Sequence, residues 1–329
     1  MAVHEPAPLV RVWFVDVGAG DCTLIVDLAT RRALLVDCHS KRVEKVREIL
    51  RAEDATLDTV VVTHWDIDHY GGAARLAIAL DVNRLLYNHD TLFPSEDSPG
   101  HLIRTTLKEF LNVRFGHEVL GPASAGQAGA IGKLSWRILA PTHAEITKAY
   151  VSRRRNIASA VIEVSAPSFR MLIGGDAVAS TWERLLAEES LESDVLRWPH
   201  HGADLAGDRD GNIRDAVFSA VDPALVVIST GATNPYGHPS EMVIAHAPAA
   251  SSVMCTQVTA GCFGFPSRIS RKSESAKTAM REHDNEPCAG TISIDCWESS
   301  YRVTPSPSEH ATMVNSWPQP MCQKFAATP

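Results

Sequence analysis

No apolar run in this chain of 329 residues approaches the roughly 18 residues that a bilayer-spanning helix needs. A membrane-embedded protein is therefore not expected. Residues 1–12 carry no basic region followed by an apolar run, so no secretory signal is expected and the cytoplasm is the expected location. An excess of positive charge is also missing: 31 Lys and Arg stand against 39 Asp and Glu, for a net charge of −8. Duplex nucleic acid is gripped largely through cationic contacts to phosphate, so binding through a global basic face is excluded. A polynucleotide would have to be held by local basic segments and by bound metal. The cysteines Cys22, Cys38, Cys255, Cys262, Cys288, Cys296 and Cys322 are odd in number and show no C-x-x-C spacing. They are expected to be buried, reduced thiols, forming neither a disulfide framework nor a zinc knuckle. Internal repeats and long low-complexity stretches are absent.

What is present is an ordinary globular composition, 45% hydrophobic and 21% charged, in a chain long enough to bury a sizeable core. Short β-branched runs predict strands at residues 10–15, 23–27 and 33–36, and apolar spacing predicts a helix over 42–51. A continuous apolar strand is expected at 59–63 and a helix over 73–80. Later strands are expected at 134–139, 158–164, 169–173, 195–198, 225–229 and 291–296, with helices over 102–111 and 182–188. Residues 90–101 read as a loop and 121–132 as a small-residue turn region. Strands that end in polar clusters, with helices between them, give an α/β sandwich. The domain is expected to cover 1–304, its motif-bearing part being about 10–240. C-terminal strands and a mobile loop with Arg268, Arg271, Lys272, Lys277 and Arg281 fill 250–304. Pro305, Pro307, Pro318 and Pro320 mark 305–329 as an extended or disordered tail.

The segment Val60-Val61-Val62-Thr63-His64-Trp65-Asp66-Ile67-Asp68-His69-Tyr70-Gly71-Gly72 concentrates the chemistry. His64 and Asp66 are two residues apart, so both side chains leave an extended strand on one side. Asp68 and His69 follow where the chain turns into a helix and can aim at a second point nearby. Four donors in so short a stretch suit two adjacent divalent ions. Gly71-Gly72 permits close packing behind them.

This segment resembles the H-x-[HD]-x-D-H signature of the metallo-β-lactamase superfamily. More narrowly, the chain resembles the hydrolase domain of the DNA-uptake channel protein ComEC and its stand-alone relatives. Phe14-Val15-Asp16-Val17-Gly18-Ala19-Gly20-Asp21 is similar to the F-x-D-V-G-Q-G-D opening of that group, and Leu34-Leu35-Val36-Asp37 to its L-L-I-D strand. Asn156-Ile157-Ala158-Ser159 resembles N-x-x-S, Leu172-Ile173-Gly174-Gly175-Asp176 resembles L-x-x-G-D, and Pro199-His200-His201-Gly202 resembles P-H-H-G. Ser229 to Pro239, with Asn234 and Gly237-His238-Pro239, is similar to S-x-G-x-x-N-x-x-G-H-P. Ala19, Cys38-His39 and Ala203 depart from the pattern, and these departures bear on substrate positioning more than on metal binding.

The resemblance implies an αββα metallo-β-lactamase sandwich and a metal-dependent hydrolase of phosphodiesters, a phosphodiesterase or nuclease using metal-activated water. Its expected cofactors are two divalent ions, Zn²⁺ or Mn²⁺, and its partner a phosphodiester substrate such as DNA, RNA or a nucleotide. Alternatives on the same fold are a lactone, thioester or β-lactam hydrolase, or a non-catalytic metal-binding regulatory module. His64, Asp66, Asp68, His69, Asp176 and His201 are the candidate ligands, with Asp176 bridging both ions. Only one of His200 and His201 is expected to point inward from an extended segment, and His201 is the preferred one. Asp68, Asn156, His200 and His238 are the candidate catalytic residues, the histidines as proton donors to the leaving oxygen. Arg153, Arg154 and Arg155, whose guanidinium forks suit phosphate, and Asn234 are the candidate substrate contacts. Asp37 is expected to orient a metal-binding histidine. Asp16 and Asp21 read as turn formers, and Trp65 and Tyr70 as lining either the mouth or the core. The remaining histidines, His310 among them, read as surface residues.

Overall fold

A computed structural model of the chain describes residues 6–80, 82–88, 120–231, 236–263 and 286–323. In chain order these begin with strands β1 (Val10–Phe14), β2 (Thr23–Asp27) and β3 (Arg32–Val36), helix α1 (Val43–Ala52), β4 (Thr56–Val61), helix α2 (Ile67–Ala79), β5 (Arg84–Leu86) and β6 (Leu120–Gly121). Next come β7 (Ala128–Ile131), β8 (Leu134–Ala140), α3 (His143–Ser152), β9 (Val161–Ala166), β10 (Phe169–Ile173), α4 (Ala179–Glu188), β11 (Val195–Arg197), α5 (Asn212–Val221) and β12 (Leu225–Ile228). The remainder are α6 (Glu241–His246), β13 (Ser252–Cys255), β14 (Ile292–Cys296), β15 (Tyr301–Thr304) and α7 (Pro307–Val314).

The strands form two mixed sheets, in orders β15-β14-β1-β2-β3-β4-β5-β6 and β13-β12-β11-β10-β9-β8-β7. Side-chain alternation then dictates the layers. In β2, Ile25 joins Phe14, Leu34, Ile162 and Met171 in a core between the sheets. Its neighbours Leu24 and Val26 face outward and meet Val46 and Ile49 of α1 and Leu76 of α2. On the far side Leu172 and Leu196 pack against Trp182 of α4 and Val217 of α5. Every strand buried on both faces needs a helix layer outside it, and the result is an αββα sandwich. Each side chain buried this way contributes about 1.5–3 kcal/mol.

Several sequence expectations need correction. Helix α2 begins at Ile67, not at 73, so Asp68 and His69 lie inside its first turn. Within 121–132, read as turn, Ala128–Ile131 pairs antiparallel with β8. The stretch from 305, read as an extended or disordered tail, contains helix α7, with Pro307 at its start and a Ser306–Glu309 capping box. His310 and Val314 within this helix, and Met321 and Cys322 beyond it, are buried, so His310 is not the surface residue expected. The Pro-rich composition misled because proline is well tolerated in a first helical turn. Trp65 and Tyr70 belong to the core beside Tyr87. The expected helix over 102–111, the loop at 90–101, the basic stretch from Arg268 to Arg281 and Asn234 lie outside the described residues.

Candidate metal centre

Beyond β4 the backbone leaves the ladder because Asp37, at the end of β3, captures it. The Thr63 N–H donates to Asp37 Oδ1 at 2.8 Å and the Thr63 hydroxyl to Oδ2 at 2.6 Å. Asp37 Oδ2 also lies 2.7 Å from His69 Nδ1, which fixes that ring and leaves its Nε2 facing inward. His64 is held similarly, its Nδ1 lying 3.1 Å from the Thr63 hydroxyl and 3.4 Å from the Ser159 hydroxyl. Asp66 stands at the N-cap of α2 but makes no capping bond, so its carboxylate is available to the site. Gly72 is required behind it, since a Cβ there would lie 2.6 Å from the His39 carbonyl oxygen and 2.7 Å from Cys38 Sγ.

The opposite wall comes from the second sheet. Asp176 follows β10 after Gly175, whose φ of +50° and 2.5 Å clearance to Ser159 Oγ exclude a side chain. Asp176 does not cap α4, whose N-cap is Val178. Its N–H donates to Ser159 Oγ at 2.8 Å, and its two oxygens divide between neighbours. Oδ1 lies 3.4 Å from His69 Nε2, while Oδ2 lies 3.5 Å from His64 Nε2 and 3.6 Å from His200 Nε2. His200 and His201 both have left-handed backbones, with φ of 51° and 55°. The alternation expected of an extended pair therefore fails, and both rings reach the site. His201 Nε2 lies 3.3 Å from Asp68 Oδ2, and its Nδ1 lies 3.1 Å from Asp21 Oδ1.

The fit to metal can be tested on this geometry. His64 Nε2, His69 Nε2 and Asp176 Oδ1 are buried with no hydrogen-bond partner, an arrangement that is costly unless something binds there. Donors about 2.1 Å from a shared tetrahedral ion lie about 3.4 Å apart. The separations among His64, Asp66, His69, Asp176 and His200 run from 3.3 to 3.6 Å. Two groups of donors gather here, His64/His69/Asp176 and Asp21/His69/His201, the second with Asp21 on the Nδ1 side of His201 and Asp68 on the Nε2 side. The residues present fit a dinuclear centre.

Asp21 is the main residue that sequence reasoning missed. It is no surface turn but 2% exposed, ion-paired to the buried Arg197 and placed behind His201. The available signal was Arg197 itself, a charge inside an otherwise apolar strand, which requires a partner. Ser159 was a second. It contacts His64 and Asp176, whereas the half-buried Asn156 contributes its carbonyl to the Ser159 N–H at 3.3 Å. Arg155 is ion-paired to Asp66 at the edge of the cage, and Arg153 and Arg154 are exposed. His238 is half-buried, its ring 5.4 Å from that of His200.

Burial pushes the Asp66 and Asp68 carboxyls up, but neighbouring histidines, and Arg155 for Asp66, hold both well below the usual range. Burial likewise opposes the cations Arg197, His201 and His69 at Asp21, which stays depressed. Against its own burial, His201 is pushed up to about 10 by Asp21, Asp68 and Asp176. His69 is raised in the same way by Asp176, Asp37 and Asp21. Burial draws His200 down despite Asp176. A cage that draws protons onto its imidazoles is one that cations can occupy in their place.

The sequence profile of the Metallo-beta-lactamase superfamily matches residues 15–203. The chain belongs to that superfamily. The superfamily match contains both walls of the cage up to His201, and His238 lies beyond it. Among curated proteins the chain is 28% identical over 243 residues to Recombination protein 2 of Haemophilus influenzae, covering 72% of this chain and 26% of that one. It is 23% identical over 189 residues to ComE operon protein 3 of Bacillus subtilis, covering 57% and 22%. The chain thus spans about a quarter of the length of these relatives. The metallo-beta-lactamase fold protein YhfI from Bacillus subtilis is similar at 14% identity and a TM-score of 0.43, covering 76% of this chain and 96% of YhfI. The family and the donor clusters make the chain a metal-dependent hydrolase by fold and site. Among the described residues no helix is long and apolar enough to cross a membrane.

Proposed function

We propose that this hydrolase is a phosphodiesterase or nuclease of the ComEC-like group, working in the cytoplasm on DNA, RNA or a nucleotide through two Zn²⁺ or Mn²⁺ ions. The observation that carries the two-ion reading is Asp176, whose separate oxygens face His69 and His64. Phosphodiester substrates are favoured by the exposed Arg153 and Arg154, which directly precede the Arg155–Asp66 pair at the cage edge. The match to a protein named for recombination points the same way.

When bound, the ions would supply an activated water and neutralise charge on the non-bridging phosphoryl oxygens. His64, Asp66, Asp176 and His200 would hold one ion, and Asp68, His69, Asp176 and His201 the other. Asp37 keeps the His69 proton on Nδ1, and the charge of Asp21 faces His201 Nδ1, so both rings present Nε2 inward. His238, at the more open side of His200, would carry the proton that the leaving oxygen takes up. Arg153 and Arg154 would hold flanking phosphates of a polymeric substrate, with Asn234 as a further contact. The test is turnover of bis(p-nitrophenyl) phosphate and a polynucleotide against nitrocefin and a thioester, at equal metal loading. Phosphodiester cleavage should dominate, and faster turnover of nitrocefin or the thioester would reject the assignment.

A further inference from the structure

A second donor cluster, sharing no residue with the cage, lies at the β13 edge of the second sheet. Cys255 ends β13, Cys288 follows a bridge between Gln257 and Pro287, His310 lies in α7, and Cys322 lies in the turn Met321–Gln323. All four are buried, at 3%, 1%, 1% and 9% exposure, and no cysteine of the chain is in a disulfide. Cys288 Sγ lies 3.2 Å from His310 Nε2 and 3.6 Å from Cys322 Sγ, and Cys322 Sγ lies 3.7 Å from His310 Nε2. Cys255 adjoins them through the backbone, the Ala289 N–H donating to its carbonyl at 2.8 Å, while the ligand atoms already gathered within 4.8 Å of one another are those of Cys288, His310 and Cys322.

We propose that Cys288, His310 and Cys322 form a structural zinc site, with the adjoining Cys255 turning in as the fourth ligand. Three thiolates and one imidazole make a closed, soft donor set of the kind that tetrahedral zinc selects. With metal–sulfur bonds of about 2.3 Å and metal–nitrogen bonds of about 2.0 Å, a tetrahedron has sulfur–sulfur edges of about 3.8 Å and sulfur–nitrogen edges of about 3.5 Å. The observed edges of 3.6, 3.2 and 3.7 Å are close to these before any ion draws them together. Cys262 stays outside the set, its sulfur facing the Thr259 hydroxyl at 3.7 Å. On binding, each thiol releases its proton to solvent and the imidazole donates through Nε2. A surface cavity lined by Ile244, Ala247, Pro307, Ala311, His310 and Cys322 gives an ion access.

The placement gives the site its purpose. Strand β13 is the last of its sheet among the described residues, and α7 and the Met321–Gln323 turn pack over it. An ion here would clamp α7 and the Met321–Gln323 turn onto the β13 edge that they cover, using no ligand of the hydrolytic cage.

The decisive experiment separates this ion from those of the cage. Full-length protein carrying His64→Ala and Asp176→Asn, purified without chelator, should retain about one zinc per chain by mass spectrometry, coordinated by sulfur at about 2.3 Å in X-ray absorption. Adding Cys288→Ser and Cys322→Ser should remove that zinc. Should the cage variants fold poorly, Co²⁺ substitution of the unmodified protein is informative, because only thiolates give a sulfur-to-cobalt charge-transfer band and the cage has none. Absence of both the retained zinc and that band would overturn the proposal. So would an intact mass two hydrogens low that maps to a Cys288–Cys322 disulfide in freshly purified protein.

Discussion

The two walls of the metal cage are built differently. On the first sheet, His64, Asp66, Asp68 and His69 come from one strand-to-helix unit, and their rings are locked from behind by Asp37 and Thr63. On the second sheet, Asp176, His200 and His201 come from two separate loops, with His200 and His201 in left-handed backbone that costs about 1–2 kcal/mol per residue. The first wall is therefore part of the core, and the second is shaped at the expense of local backbone comfort. Loss of a buried ring of the first wall should damage stability and turnover together, while loss of the half-buried His200 of the second should damage turnover with little change in stability.

The strongest contrast is between His69 and Asp68. His69 is fully buried and Asp37 relies on it, so His69→Ala should abolish turnover and also destabilise the fold by about 3–5 kcal/mol, as expected when a buried charge loses its partner. Asp68 is a third exposed, so Asp68→Ala should abolish turnover with at most about 1 kcal/mol lost in urea unfolding. Equal stability loss in the two variants would erase the distinction between core and rim within this wall.

Next in size is Asp37→Asn, which keeps the shape but weakens the hold on His69. Metal affinity should fall by about 10–100-fold, measured by competition with a chelating dye. His238→Ala, on the second wall, should lower kcat by about 100-fold while leaving metal content and melting temperature unchanged. Parallel losses in metal content would make His238 a ligand and not a proton carrier.

A smaller effect concerns pH. In the ion-free protein the proton on His201 stabilises fully below the ordinary value of 6.5, and that contribution is lost as pH rises through about 10. Metal requires the neutral ring, so apparent metal affinity should strengthen with pH over the same interval. Titration calorimetry in buffers of different ionisation enthalpy should record net proton release at neutral pH. Proton uptake, or none, would contradict the protonated cage. The smallest effect is expected from Arg153→Ala with Arg154→Ala, which should raise KM severalfold on a polynucleotide and flatten its salt dependence. A small phosphodiester should be nearly unaffected.

The two walls also differ in how far the sequence reveals them. The first is legible because its donors crowd behind one apolar strand, where spacing alone aims them together. Asp176, His200 and His201 are visible mainly as segments of an ordered set of motifs, and the geometry that brings both histidines inward is a backbone conformation that apolar alternation does not encode. Asp21 escaped because an aspartate among glycines reads locally as a turn, while its partner Arg197 lies on a distant strand of the other sheet. The cysteine cluster escaped for a related reason. Its ligands run from Cys255 to Cys322, and His310 had no sequence neighbour to mark it. The layer architecture, in contrast, followed from strand runs and helical spacing, with helix starts the main error.

The Asp21–Arg197 pair joins a residue just before β2 of one sheet to β11 of the other. His64 with Asp176, and Asp68 with His201, cross the same seam. The cage is thus a rivet through the sandwich, and any ion held there is gripped by both sheets at once. Occupancy and the cohesion of the two halves then become a single equilibrium. The protein should grow more resistant to unfolding with the logarithm of free metal concentration, and stripping the cage should loosen the seam before it loosens either sheet.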